Sequence, residues 1–162
     1  MENIISKHNA KVMKPPADET SKCNCRKDRV CPLQGKCLTS SVVYQATVTP
    51  DTGKEENYIG LTSNTFKQRW SQHKSSFNNK SKANETTLSQ YIWKLKEKNV
   101  KHVISWKIVC RANQFSPITG RCDLCTREKF YIIFKPEMCS LNTRNELGTH
   151  CRHKKKALLD NT

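Results

Sequence analysis

A tyrosine, an arginine and a histidine stand close together in YIGLTSNTFKQRWSQH, residues 58 to 73. Tyr58-Ile59-Gly60 reads as the end of a strand, where a glycine lets the backbone turn or approach another group closely. Thr62, Ser63 and Asn64 are good N-cap types, so the pattern predicts a helix starting at about Thr65. On that helix Phe66, Trp70, His73 and Phe77 fall at i, i+4, i+7 and i+11 and make one largely apolar face. Arg69 and His73 stand one turn apart at its edge. A bidentate cation and a titratable imidazole beside a tyrosine can hold a phosphate and move a proton. Arginines on helices are usually just solvated, so the trio by itself is not diagnostic.

The cysteines offer a second chemistry. Residues 23 to 37 read CNCRKDRVCPLQGKC, a C-x-C-x5-C-x5-C pattern with Pro32 and Gly35 as turn formers. The thiolates of Cys23, Cys25, Cys31 and Cys37 can close a tetrahedral zinc site, and the segment has almost no apolar content to fold it otherwise. Two disulfides are the competing reading, disfavoured because the start, MENIISKHNAKV, lacks the hydrophobic core of a secretory leader. Four thiolates leave no open coordination position, so the expected role is structural. Arg26, Lys27, Arg29 and Lys36 would surround the metal and rest on nucleic-acid backbone. Cys122-x2-Cys125 with the distant Cys151 and His153, and His150 as a spare, makes a second and less specific zinc pattern. About two zinc ions are expected in all. Cys110 and Cys139 are left over, and a buried thiol needs no function.

The elements that must position these groups follow from periodicity. SVVYQATVT, residues 41 to 49, is β-branched and alternating, and turn residues Pro50 to Gly53 lead to a second strand over 56 to 61. After the helix of 65 to 77, Leu88, Tyr91, Ile92 and Leu95 mark a second helix at about 87 to 98. HVISWKIVC, residues 102 to 110, reads as a third strand with Ile104, Trp106 and Ile108 on one side. A loop with Pro117 and Gly120 precedes a third helix at about 123 to 134, on which Leu124, Glu128, Tyr131 and Ile132 share a face. A carboxylate on an apolar stripe is costly unless it is paired with a Lys or Arg or binds a cation. Residues 1 to 22 and 157 to 162 read as tails, 23 to 39 as a zinc knuckle and 40 to 156 as the main domain.

The balance of 29 Lys+Arg against 14 Asp+Glu, a formal charge of +15, favours a polyanionic partner, nucleic acid first and an acidic membrane surface second. No apolar run approaches the ~18 residues of a membrane span. An intracellular, nuclear setting is expected. The basic cluster Arg152 to Lys156 is a phosphate contact, a nuclear address or simply solvated.

Val42-Val43-Tyr44, Tyr58-Ile59-Gly60, Arg69, His73, Glu128 and Asn142 resemble the GIY-YIG nuclease superfamily in type, order and approximate spacing. The segments CNCRKDRVCPLQGKCLTSSVVYQATV, NYIGLTSNTFKQRWSQHKSSF, CDLCTREKFYII and LNTRNELGTHCRHKK are similar to the endonuclease module of Penelope-like retroelements. The resemblance covers roughly residues 23 to 156. Two departures stand out: Val42 occupies the place of the family's first Gly, and the two tyrosine motifs are farther apart, which suggests a longer hairpin. The reverse transcriptase of such elements is not in this chain, so a severed or domesticated module is implied.

The resemblance implies an α+β fold, a small three-stranded antiparallel sheet flanked by helices, and metal-dependent nicking of DNA. Glu128 would bind one Mg2+ or Mn2+. Arg69 would hold the scissile phosphate and stabilise its transition state. Tyr44 would deprotonate the attacking water with help from Tyr58 or His73; His73, near its natural pKa, is the alternative base. Asn142 would orient the neighbourhood of Glu128 or the phosphate, and Gly60, Arg152, Lys154, Lys155 and Lys156 would contact the nucleic acid. RNA, or a reverse transcriptase encoded elsewhere in the element, is a further implied partner, and no membrane is. The rival is a zinc-containing nucleic-acid-binding protein without catalysis, which explains the charge and cysteines but not the ordered set.

Overall fold

The structure, a computed structural model, describes residues 23–25, 31–113, 115–116, 118 and 120–142. Strand β1 (Ser40–Pro50) runs antiparallel to β2 (Glu56–Thr65) on one side and to β3 (His102–Arg111) on the other, giving the sheet order β2-β1-β3. Helices α1 (Phe66–Asn78) and α2 (Thr87–Glu97) come between β2 and β3. A short hairpin of β4 (Phe115–Ser116) and β5 (Arg121–Cys122) then leads into α3 (Asp123–Phe134). The expected three-stranded antiparallel sheet with three helices is what forms. No helix among the described residues is long and apolar enough to cross a membrane.

The central place of β1 explains its composition. Val42 to Ala46 are all buried, because a strand covered on both faces reads as a near-continuous apolar run. Val42, Tyr44, Ala46 and Val48, with Tyr58 of β2, pack against Phe66 and Phe77 of α1 and Leu88, Ile92 and Leu95 of α2. Ile104, Trp106 and Ile108 join this core, as their alternation predicts. Val43 and Ile59 point to the opposite face, where Cys122, Cys139 and Leu124 of α3 meet them. Cys31, Leu33 and Cys37 belong to the first core, so the cysteine-rich segment packs into the same body as the sheet.

Three local differences from the sequence reading have physical causes. Strand β2 runs on to Thr65 instead of ending near residue 61, because Thr62 and Thr65 keep pairing with Val42 and Ser40 across a bulge in which Ser63 and Asn64 stand opposite Ser41. Thr65 is therefore the N-cap, and its hydroxyl accepts from the Gln68 amide at 3.3 Å. The loop around residue 118 forms the β4–β5 hairpin, with Gly120 at φ +65°. The expected tails 1 to 22 and 157 to 162, Arg26, Lys27 and Arg29, and His150, Cys151, Arg152, His153, Lys154, Lys155 and Lys156 lie outside the described residues.

Candidate active site and metal cluster

In the β1–β2 register Tyr44 stands opposite Gly60 and Ala46 opposite Tyr58, so both phenols rise on the face that α1 covers. A Cβ at Gly60 would meet Tyr44 Oη at 2.5 Å, Tyr44 Cζ at 2.6 Å and Tyr58 Cε1 at 3.0 Å. Gly60 is needed for room: the Tyr44 phenol lies across it. Helix α1 begins directly after β2, and its first two turns bring Arg69 and His73 onto the same spot. Tyr44 Oη lies 2.7 Å from His73 Nε2 and accepts from Arg69 Nε at 3.1 Å. Arg69 Nη1 donates to Gln72 Oε1 at 3.0 Å. The guanidinium can only donate, so the phenol oxygen accepts from Arg69, and one proton is shared between Tyr44 Oη and His73 Nε2, on the side that the imidazole tautomer sets.

Tyr44 is 0% exposed and His73 2%. The imidazole is walled by Phe77, stacked at 5.9 Å, by Trp106 at 5.5 Å and by the two tyrosines. This burial, and secondarily the Arg69 charge, pushes the His73 pKa from 6.5 down to about 3. His73 is thus a neutral imidazole, which corrects the expectation of a base near its natural pKa. Burial works against the Arg69 charge, but the phenols of Tyr44 and Tyr58 outweigh it, and the guanidinium is held above its ordinary pKa.

Glu128 lies elsewhere. It is half-buried on α3, in a stripe with Leu124, Tyr131 and Ile132, and α3 packs on the Val43 and Ile59 face of the sheet. The helix that carries Glu128 and the Tyr44–Arg69–His73 trio therefore sit on opposite faces. Asn142 brackets β2: its Oδ1 accepts from Ile59 N at 2.8 Å and its Nδ2 donates to Ile59 O at 2.8 Å. Leu141 N donates to Asn57 O at 2.8 Å, Asn57 N to Ser140 Oγ at 2.8 Å, and Gln45 Nε2 to Met138 O at 3.0 Å. The chain after α3 thus stitches itself along the outer edge of β2, and Asn142 holds the residue between Tyr58 and Gly60. Gln72 and Trp106 were not singled out as site residues by sequence. Gln72, at i+3 from Arg69, carried a readable signal; nothing in the sequence connects Trp106 with His73.

The four N-terminal cysteines converge. Their sulfurs all lie within 4.8 Å of one another, with Cys25–Cys37 at 3.7 Å and Cys23–Cys37 at 3.4 Å. A tetrahedron with Zn–S bonds of ~2.3 Å needs S···S separations of about 3.8 Å, so the donor set fits zinc. All four are free cysteines, and amides of Gly35 and Cys25 donate to the sulfurs of Cys31 and Cys23 at 3.2 and 3.3 Å. Burial raises the Cys31 thiol, but the Gly35 and Leu33 amides outweigh it and lower it to about 7. Cys37 is pushed up, by burial first and then by the neighbouring sulfurs. Thiols this crowded ionise together only around a cation. Of the second zinc pattern, Cys122 and Cys125 are described, at the start of α3.

The cluster also holds the helix of the first site. Lys67 N donates to Cys37 O at 2.7 Å and Phe66 N to Thr39 O at 2.9 Å, so the cysteine loop satisfies amides in the first turn of α1. The Lys67 ammonium donates to Asn24 Oδ1. No protein-family profile, no characterised protein and no solved structure matches the chain.

Proposed function

We propose that the chain is a metal-dependent DNA endonuclease of GIY-YIG type, of retroelement origin, that nicks one strand at a time. The observation that carries this reading is the buried Tyr44–His73 pair hydrogen-bonded to the half-buried Arg69 against Gly60, on a chain of charge +15. In this reading Arg69 leaves Tyr44 for the scissile phosphate, which uncovers the phenol oxygen. The same move takes a positive charge away from His73, the lesser of the two causes of its low pKa after burial, so in this reading the site must also open to water. Tyr44 then passes its proton to His73 Nε2 and takes one from the attacking water. The water oxygen bonds to phosphorus, and the phosphorus–oxygen bond to the leaving strand breaks as that oxygen takes a proton from solvent. Tyr58 borders the same space. Asn142 keeps β2 in register, and Gly60, expected to contact the nucleic acid, is buried and instead makes room for the Tyr44 phenol; Arg152, Lys154, Lys155 and Lys156 are assigned phosphate contacts in this reading.

Glu128 is the residue that would hold Mg2+ or Mn2+, a cation that takes one or two protein carboxylates and completes its shell with water and substrate phosphate. Bound there, the ion would supply neutralisation of phosphate charge on DNA that reaches past the sheet edge to the α3 face. One protein carboxylate meets that requirement, and among the described residues the four cysteines form the metal-competent cluster of three or more donors. The cluster is assigned structural zinc, and Cys122, Cys125, Cys151 and His153 a second one.

A second reading, a zinc-containing nucleic-acid-binding protein without catalysis, is favoured by the fully buried Tyr44 and by the placement of the Glu128 helix on the other face. Supercoiled plasmid separates the two. Zinc-loaded protein is expected to convert it to the nicked circle in Mg2+ or Mn2+ and not in chelator. Binding without nicking in either ion would leave the binding protein in its place.

A further inference from the structure

Beside the trio runs a trough that the reading above does not use. It lies between the turn after Cys31, helix α1 and the outer edge of β3, encloses about 530 Å3, and presents Trp70, Lys74, His102 and Trp106. Past Trp106 it continues over Pro32 and Gln34 into a further space of about 310 Å3 bordered by Lys36 and Lys107. Each part is of a size that holds a small organic group. Among the described residues that line it, none is acidic.

The two indoles are fixed differently. Trp106 is half-buried and its ring packs against His73 at 5.5 Å, Phe66 at 5.7 Å and Tyr44 at 6.0 Å, so it separates the trough from the trio by one ring. Trp70 is half-buried on α1, and the exposed Lys74 lays its ammonium over that indole, 4.1 Å from the ring centroid. Aromatic faces interleaved with cations, and no carboxylate, suit a flat apolar ring joined to an anion. A nucleotide is such a group, and only an unpaired one offers its base face.

We propose that this trough binds an unpaired nucleotide of the nucleic-acid substrate, its base against Trp70 and Trp106 and its phosphates against Lys74, Lys36 and Lys107. The protein would then act where a single strand leaves a duplex, with the unpaired nucleotide one ring away from Tyr44 and His73. The inference rests on the nucleic-acid reading above but not on cleavage.

The test is fluorescence anisotropy of the full-length, zinc-loaded protein with a labelled oligothymidylate and with a blunt duplex carrying the same number of phosphates, at one salt concentration. Trp70→Ala is expected to weaken the oligothymidylate by about 5- to 150-fold, the range of one lost base–aromatic stack, and the duplex by less than about two-fold. Trp70→Phe should recover most of the loss. Equal losses on both ligands, or no loss on either, overturn the proposal. Should Trp70→Ala fail to fold, Lys74→Glu on the exposed face replaces it, and must weaken the oligothymidylate several-fold more than the duplex. A glutamate-rich peptide that competes as well as the oligothymidylate also overturns it. Nicking of plasmid with no Trp70 effect refutes the trough and leaves the nuclease. Trp70-dependent binding without nicking supports the trough and refutes the nuclease.

Discussion

The two faces of the sheet are built from different materials. On one, Tyr44, Tyr58, Phe66, Phe77 and Trp106 surround a buried histidine, and the cysteine cluster closes the end. On the other, Val43, Ile59 and Leu124 pack with Cys122 and Cys139, and α3 leaves Phe130 48%, Ile133 54% and Phe134 65% exposed. Polar groups on the first face satisfy one another inside an aromatic shell, which leaves them one arrangement. The helix carrying Glu128 is held instead by a thinner core and by hydrogen bonds along the β2 edge. The catalytic reading therefore depends most on whether the second face contributes.

The largest effect should come from the end of the first face. Cys31 and Cys37 share a core with Tyr44, so Cys31→Ser is expected to lower the single melting transition of the whole domain. Zinc binding worth ~10–16 kcal/mol in small fingers is comparable with a domain stability of ~5–15 kcal/mol. A main transition that stays put in calorimetry while zinc content falls would make the knuckle a separate unit.

Next in size is the pH response of His73. Its folded pKa of about 3 lies below the ordinary 6.5, so the unfolded chain takes the proton first. This contribution is whole above about pH 6.5 and is lost at ~1.4 kcal/mol per unit as the pH falls towards 3. Urea unfolding at a series of pH values should show this slope in wild type and lack it in His73→Gln. Identical slopes would mean that the imidazole is solvated.

The faces are compared directly by Arg69→Ala and Glu128→Gln. Each is expected to cut nicking by about 10² to 10³, or ~3 to 4 kcal/mol of transition-state stabilisation, with DNA binding retained. If only Arg69→Ala loses activity, the second face is structural and the metal assignment to Glu128 falls. Tyr44→Phe nicking at the wild-type rate would remove the phenol from the mechanism.

Smaller effects probe packing. Gly60→Ala would place a methyl 2.5 Å from Tyr44 Oη, so a loss of about 1–3 kcal/mol is expected in chemical denaturation, with Tyr44 displaced. Asn142→Ala removes two hydrogen bonds to Ile59 at an edge that water can reach, for about 1–2 kcal/mol and faster amide exchange at Ile59. No change in exchange there would show that the edge is held by Leu141 and Ser140 alone.

Much of this could be read from the chain because it is local. Alternation and β-branching mark β1 and β3, the 3.6-residue period marks α1 and α2, and the spacing of four cysteines marks their cluster. Each depends on neighbours within a few residues, and local sterics and ligand reach decide it. Tertiary structure alone decided the rest. The seat of Tyr44 across Gly60 depends on β-register, the depressed pKa of His73 on Trp106 arriving from another strand, and the capping of α1 on carbonyls of the cysteine loop. Which face of the sheet carries Glu128 was likewise invisible, since a helix's own period fixes its apolar stripe but not the partner that the stripe covers.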